Sequence, residues 1–595
     1  MKRWRVVGVA IAILLGALIV TGRPSVADDW QIVYPPENHS TASQSIFFIG
    51  TAPARTQVTV NGQAIHRSPA GHFAPSFPLA IGSNTFTFIL RPSNGAPQQF
   101  VRQVTRLNPI RSAPATVGLL SDTIQPQGDV WKQPGEVVCF EAIGTPNADV
   151  SVRLWDELVP LVADSNVTSL PVANAILTGE IEAVPVVQAG RYRGCANLPD
   201  SRAGGETSPQ IVLTASGQTV TANAGLLRVL DPQATLVARA NTDDAIARNG
   251  PSSSYIRYSP WPQGTQSEIV GRENDWLQTA SEKWIAAAQA EIVSVPEPPR
   301  SAVGSVQLTR VGEWTELRLP LTVRLPYNVT EEPGQIVLEL DGASLQTDFF
   351  RMDADDPLVT AVSWGQVSGD RIRYKLHLSR DYAWGYEATY EGTTLLLRVR
   401  HAPQTDASAP LRGLKIAIDP GHGGEIDLGA RGPNGYPEKA LNLSVSQRLA
   451  ALLRERGAEV LMTRTADVFV PLADRADLQG DAEPHLFVSI HYNALPDSGD
   501  AENTRGIASF WYFPHSRPLA QALHLDLLRD LGQPDYGHFF SSLAVIRATS
   551  CPSVLLELGF TINPEEFELI VTPEHQQRTA EAIADSLARY VGDRT

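Results

Sequence analysis

At Leu411 the hydrophobic pattern of this 595-residue chain changes period, and the change separates two kinds of structure. Before it, runs such as TELRLPLTV, QIVLELDG, RIRYKLHL and TTLLLRVR alternate apolar and polar residues, the pattern of half-buried strands. After it, the strand-like KIAID, EVLMTR and HLFVSIHY are separated by helical spacing: Leu441, Val445, Leu449, Leu452 and Leu453 share one face, and LADRADLQ reads as a second helix. GIASFWYF, a helix from about Pro518 to Leu531, strands in SLAVIRA and SVLLELGF, and a closing helix lined by Ile583, Leu587 and Val591 complete the series. Alternating strands and helices imply a sheet flanked by helices on both faces. The fold class is therefore multidomain, several all-β modules followed by an α/β domain with a mixed sheet over 411–595.

The N-terminus carries Lys2, Arg3 and Arg5, an uncharged 15-residue run from Val6 to Val20, and the small-residue site Ser25-Val26-Ala27. This is the layout of a secretory signal over 1–27, and 15 residues is short for a membrane span, which needs roughly 17 to 25. Export to the periplasm or cell envelope, with no stable span after cleavage, is the expectation. Cleavage would remove four cations and no anion, moving the formal charge from −16 to −20 and making nucleic acid an improbable partner. Residues 28–117 run the other way, with six arginines, no lysine and three acids. Such a module could meet an anionic wall polymer, or its arginines could simply be solvated.

Residues 28–110 read as a small β module with the hairpin dipeptide Asn61-Gly62 and resemble bacterial immunoglobulin-like modules. Its Phe47, Phe48, Phe86 and Phe88 are expected in a core rather than on a sugar platform. Residues 117–231 read as a β-sandwich, in which Cys139 and Cys195 either bridge after export or stay reduced. Cys551 reads as a small buried hydrophobe. Over 233–293, the turn Arg248 to Ser252, the hairpin Gly271 to Trp276 and a late Trp284 resemble bacterial SH3-like domains, which implies a wall-peptide ligand. The alternative is that both tryptophans fill a barrel core. After SVPEPPR, with prolines at three of seven positions, residues 301–402 form a further β-rich module that looks like the targeting modules preceding some wall hydrolases.

Four residues of the last domain sit where strands end or helices begin: His422 after KIAIDPG, Glu438 in GYPEKALNL, His491 after LFVSI, and Glu557 closing SVLLE. Strand ends of an α/β sheet gather at one edge, where ligands bind. Two imidazoles and a carboxylate are a ligand set for catalytic zinc, the fourth position being left to water, and a second carboxylate can then act as base. Glu557 ends an apolar run, where a charge is costly to bury unless balanced. His485, His515, His524, His538 and His575 lack this context and read as structural or surface.

Asp419-Pro420-Gly421-His422-Gly423-Gly424, Glu438-Lys439 with Asn442-Leu443, Ser489-Ile490-His491-Tyr492-Asn493 and Glu557-Leu558-Gly559-Phe560 resemble the zinc-dependent N-acetylmuramoyl-L-alanine amidases of bacterial walls. The likeness runs from about Leu414 to Val591 and includes Thr463-Arg464 and Asn563-Pro564-Glu565-Glu566. It implies one zinc ion on His422, Glu438 and His491, catalysis by Glu557, substrate contacts from Asn493 and Arg547, peptidoglycan as substrate and a protein activator as a further partner. Tyr492, where the family commonly has a small residue, and Gly537 to Leu543 depart from its pattern and bear on substrate contacts. Rival readings are a zinc peptidase cutting within the peptide stem and a non-catalytic wall-binding scaffold.

Overall fold

The computed structural model describes residues 30–179, 181–353 and 355–594; the leader expected over 1–27 lies outside the described residues. No described helix is long and apolar enough to cross a membrane.

The first β module pairs Thr56–Val60, Gly82–Pro92 and Gln98–Arg106 in antiparallel order. Asn61 and Gly62 turn the chain with φ of 50° and 83°, the left-handed conformations that an Asn-Gly hairpin supplies cheaply. Phe48, Phe86 and Phe88 fill its core as expected. Phe47 instead joins Ile49 in a cluster with Phe560 and Ile562 of the C-terminal domain.

In the next module Cys139 and Cys195 lie directly opposite on Val137–Gly144 and Arg191–Asn197 and form a disulfide. Strand pairing then crosses the 231/233 linker. Val130–Lys132 pairs in parallel with Leu227–Val229 and antiparallel to Gln266–Glu273, so the edge of the small barrel is covered rather than left open. The barrel core holds Trp261, fully buried, while Trp276 and Trp284 are only half-buried.

The fourth β module packs a four-stranded antiparallel sheet and a five-stranded sheet, antiparallel except for the parallel edge pair Val306–Val311 and Phe350–Met352, around Leu317, Leu338, Tyr374 and Leu397. It is clamped to the C-terminal domain. Trp384 enters that domain's core and donates Nε1–H to the His485 carbonyl at 2.7 Å. Arg400, 2% exposed, donates to the carbonyls of Glu483, Pro484 and Ser550. Glu331 reaches His515 Nδ1 at 2.8 Å with both side chains buried.

The C-terminal domain runs β1 (Lys415–Pro420), α1 (Glu438–Glu455), β2 (Glu459–Met462), α2 (Leu472–Ala482), β3 (Leu486–Asn493), β4 (Ile507–Trp511), α3 (Arg517–Leu531), β5 (Asp535–Phe540), β6 (Ser553–Phe560), α4 (Pro564–Ile570) and α5 (Pro573–Gly592). The sheet order is β2-β1-β3-β6-β4-β5. The first four strands are parallel and β4 is antiparallel to β6, so the sheet is mixed. Ile416, Ile418, Val488, Ile490, Val554 and Leu556 face α1, α3 and α5, whose Leu441, Leu523 and Ile583 are fully buried against them. Ala417, Phe487 and Leu555 face the other way, under Val545 and Ile546. SLAVIRA, expected as a strand, is instead a short 3-10 turn over Ala544–Ile546. Its alternation serves to cover this second face rather than to join the ladder.

Candidate active site

Strand β1 ends at Asp419 and Pro420, and the next residues turn abruptly. His422 has φ of 59°, an unusual value for a residue with a side chain, followed by Gly423 and Gly424 at 145° and 70°. Two buried arginines pin this turn. Arg475 on α2 donates to Asp419 Oδ1 (2.6 Å) and to the carbonyls of Pro420 (2.8 Å), His422 (2.8 Å) and Val470 (3.0 Å). Arg464 donates to the carbonyls of Pro420 (2.9 Å), Gly421 (2.9 Å) and Lys439 (2.8 Å). Asp419 is fully buried, and Thr463 and Ser489 also donate to it, at 2.6 and 2.7 Å.

His422 Nδ1 donates to Asp427 Oδ1 at 2.6 Å, which turns Nε2 towards Glu438 Oε2, 3.2 Å away. Glu438 is the first residue of α1 and is 3% exposed. Its Oε2 accepts from Ala430 N (2.8 Å), and its Oε1 accepts from Asn442 Nδ2 (3.0 Å) and faces His491 Nδ1 (3.0 Å). One ligand atom from each of His422, Glu438 and His491 lies within 4.8 Å of the others. The space around them is kept clear by glycine. A Cβ on Gly421 would lie 2.1 Å from the His491 ring, and one on Gly429 would lie 2.4 Å from Glu438 Oε2.

Electrostatics follow the geometry. Burial alone would raise the Glu438 carboxyl, but hydrogen bonds from both imidazoles and their charge hold it well below the usual carboxylate range. Burial works against charging His422, yet Glu438 and then Asp427 outweigh it and raise the imidazole to about 9. Two nitrogen donors and one buried carboxylate suit zinc. Asp427 is the outer carboxylate that commonly orients a ligating histidine.

Glu557 on β6 stands directly beside His491 on β3. Its Oε2 is buried without a hydrogen-bond partner. Burial, reinforced by the Glu438 charge, pushes its carboxyl well above the ordinary range. Asn493 is 8% exposed; its Oδ1 accepts from Ala494 N while its Nδ2 is buried and unpartnered.

Arg547 does not join this group. Its Nε donates to the Ser542 carbonyl and hydroxyl, both at 3.0 Å. Tyr492 is buried in the core facing α1. Cys551 is buried, its thiol pushed up to about 11 by burial. The remaining histidines have structural partners, Glu313 for His485, Glu331 for His515, Asp535 for His524 and Ser509 for His538, while His575 is buried at the start of α5.

Sequence reasoning did not single out Asp427, nor the roles of Asn442, Arg464 and Arg475. Asn442 had a signal, because it lies one helical turn after Glu438. Asp427 and Arg475 reach their partners through loop and helix placements that spacing does not disclose.

Residues 416–589 match the N-acetylmuramoyl-L-alanine amidase family. The probable cell wall amidase LytH of Staphylococcus epidermidis is 38% identical over 268 residues, which covers 44% of this chain and 85% of that one. The LytH of Staphylococcus aureus is 37% identical over 191 residues, covering 32% of this chain and 62% of that one. Among solved structures, an N-acetylmuramoyl-L-alanine amidase of Nostoc punctiforme is 31% identical, covering 31% of this chain and 98% of its own, with a TM-score of 0.29. The CwlD amidase from Clostridioides difficile, solved in complex with the GerS lipoprotein, is 26% identical and covers 30% of this chain and 98% of its own, with a TM-score of 0.28. The motif-bearing strand ends and the extent of the LytH match agree: the chain belongs to the N-acetylmuramoyl-L-alanine amidases and is a peptidoglycan amide hydrolase.

Proposed function

We propose that His422, Glu438 and His491 hold one zinc ion and that Glu557 is the catalytic acid-base group for cleavage of the amide between the lactyl group of muramic acid and L-alanine. The observation that carries this is the convergence of the three ligand atoms within 4.8 Å, with Glu557 beside His491 on the next strand. Zinc bound there supplies Lewis acidity at the scissile carbonyl. Asp427 fixes His422 with Nε2 turned inward. Asn442 and Ala430 N hold the Glu438 carboxylate in place. Glu557 takes the proton of the attacking water and delivers it to the leaving amine of alanine, one group serving both steps in turn. Asn493 offers its unpaired amide to the glycopeptide.

The relatives are cell wall amidases, which supports an envelope location for this chain. The modules over 28–110, 117–231, 233–293 and 301–402 read as delivery and positioning, with wall peptide as the ligand of the SH3-like barrel. The biological role that fits is wall remodelling or separation of daughter cells.

The test uses the purified chain alone on peptidoglycan. Chelation should abolish release of stems and added zinc should restore it. Products should carry a free lactyl carboxylate and a stem beginning with L-alanine; a cut within the stem would instead identify a peptidase. Activity that survives chelation, or full activity in Glu557→Ala, would refute the mechanism. A chain that works only with another envelope protein present would identify an activator.

A further inference from the structure

Arg248 and Arg257 face each other as cross-strand partners in the small barrel, and Arg547 of the catalytic domain lies close enough for its charge to act on both. Arg248 ends the strand Ala245–Arg248 and is 9% exposed. Its Nη1 donates to the Tyr255 carbonyl at 2.7 Å, its guanidinium lies 5.9 Å from the Trp276 ring centre, and its Nε is buried without a partner. Arg257 opens the strand Arg257–Trp261. Arg547 follows the turn Ala544–Ile546, and its guanidinium donates to the Ser542 carbonyl and hydroxyl.

None of the three forms an ion pair with a carboxylate among the described residues, where most other half-buried arginines do, such as Arg191 with Glu141 and Arg371 with Asp341. Burial, then the charge of Arg547, then that of Arg248, holds Arg257 down to about 10; Tyr512 and then Asp244 work against this, and Asp244 forms no ion pair with it. Burial and the Arg547 charge likewise lower Arg248.

The gathering is fixed by packing. Two residues beyond Arg257, Ser259 N donates to Asn328 Oδ1 (3.1 Å) and its hydroxyl accepts from Val329 N (3.0 Å). Two residues beyond Arg547, the Thr549 carbonyl accepts from Tyr386 N at 2.8 Å. The fourth β module thus clamps the barrel on one side and the catalytic domain on the other.

An arginine does not shed its proton to escape repulsion, and like charges withdrawn from water without a counter-charge are costly. A planar guanidinium matches the two oxygens of a carboxylate or phosphate. We propose that Arg248, Arg257 and Arg547 form an oxyanion-binding site bridging the SH3-like barrel and the catalytic domain, taking a carboxylate or phosphate group presented by the wall. The site is independent of the zinc reading, since it is read by binding without turnover.

The experiment titrates the full chain with inorganic phosphate at low ionic strength, with chloride at matched ionic strength as control, by calorimetry and thermal shift. Wild type should bind saturably and gain thermal stability. Arg257→Gln should weaken binding by about tenfold or more, the loss of one charge-assisted pair. Arg257→Lys, which keeps the charge, should lose less. Without phosphate, Arg257→Gln should melt no lower than wild type, because it relieves repulsion; a purely structural arginine would lower the melting temperature. A synthetic stem peptide with free carboxylates, compared with its fully amidated form, separates the sources. Binding of the acid form alone, displaced by phosphate, supports stem carboxylates. Binding of phosphate but neither peptide supports a phosphate-bearing wall polymer. No phosphate response, or an equal response in Arg257→Gln and Arg248→Gln, overturns the site.

Discussion

Replacement of Arg475 by methionine probes the anchor beneath the site. In the native chain this guanidinium, 2% exposed, meets a fully buried Asp419 and three backbone carbonyls, two of them in the turn that presents His422. Methionine keeps the side chain's bulk but removes every donor. Asp419 would retain only Thr463 and Ser489, and breaking a buried pair from one side costs about 3–5 kcal/mol. The two remaining hydroxyl donors argue for the lower half of that range, about 3–4 kcal/mol. Because a multidomain chain has no single unfolding free energy, the measurement should be local. Native-state hydrogen exchange over Lys415–Gly424 reports the opening free energy of β1 and its turn. Adding Asp419→Asn to Arg475→Met removes the uncompensated charge and should recover about half of the loss, a positive coupling between contacting partners. A drop below about 1 kcal/mol for Arg475→Met, or strict additivity with Asp419→Asn, would show that the pair does not support the turn.

Gly421→Ala would place a Cβ 2.1 Å from the His491 ring. The ring must move, so activity should fall about a hundredfold or more while circular dichroism stays native; unchanged kcat/KM would contradict the packing. Asp427→Asn keeps the shape of the residue but weakens the orienting bond on His422, and zinc affinity measured by competition with a chelator should drop about 10- to 100-fold. For pH, burial depresses His575 from 6.5 to about 4, so on acidification the unfolded chain takes up a proton that the folded chain refuses. Stability of the α5 region should therefore fall as pH drops from about 6.5 to about 4 and level off below, by up to about 3 kcal/mol. Hydrogen exchange over Pro573–Gly592 checks this, and the pH dependence should shrink in His575→Gln.

Much of the catalytic domain was legible because its signals are local. Apolar runs bounded by Asp-Pro-Gly and by Leu-Gly-Phe mark buried parallel strands, and the helical face of Leu441, Val445 and Leu449 marks α1. His422, Glu438, His491 and Glu557 stood out by their places at such boundaries. SLAVIRA misled because alternation describes two-sided burial, which a 3-10 turn pressed onto a sheet face also satisfies. Trp276 and Trp284 were neither core residues nor a free platform, since Trp261 took the interior and Arg248 covers Trp276. Arg547 lay near the right motif, but its guanidinium is held by Ser542, five residues earlier.

The sequence by itself determined the strand-to-helix order of 411–595, the β character of what precedes it, and the four residues at strand and helix ends on which the proposed metal-assisted hydrolysis rests. Those properties depend on hydrophobic period, turn residues and side-chain type, all of which act over a few residues. The tertiary structure decided that Asp427 orients His422, that Arg464 and Arg475 hold the turn, and that the fourth β module clamps the barrel to the catalytic domain. Each of these pairs groups far apart in the chain, where burial raises the cost of an unmatched polar atom and so selects partners by position in space rather than by spacing in sequence.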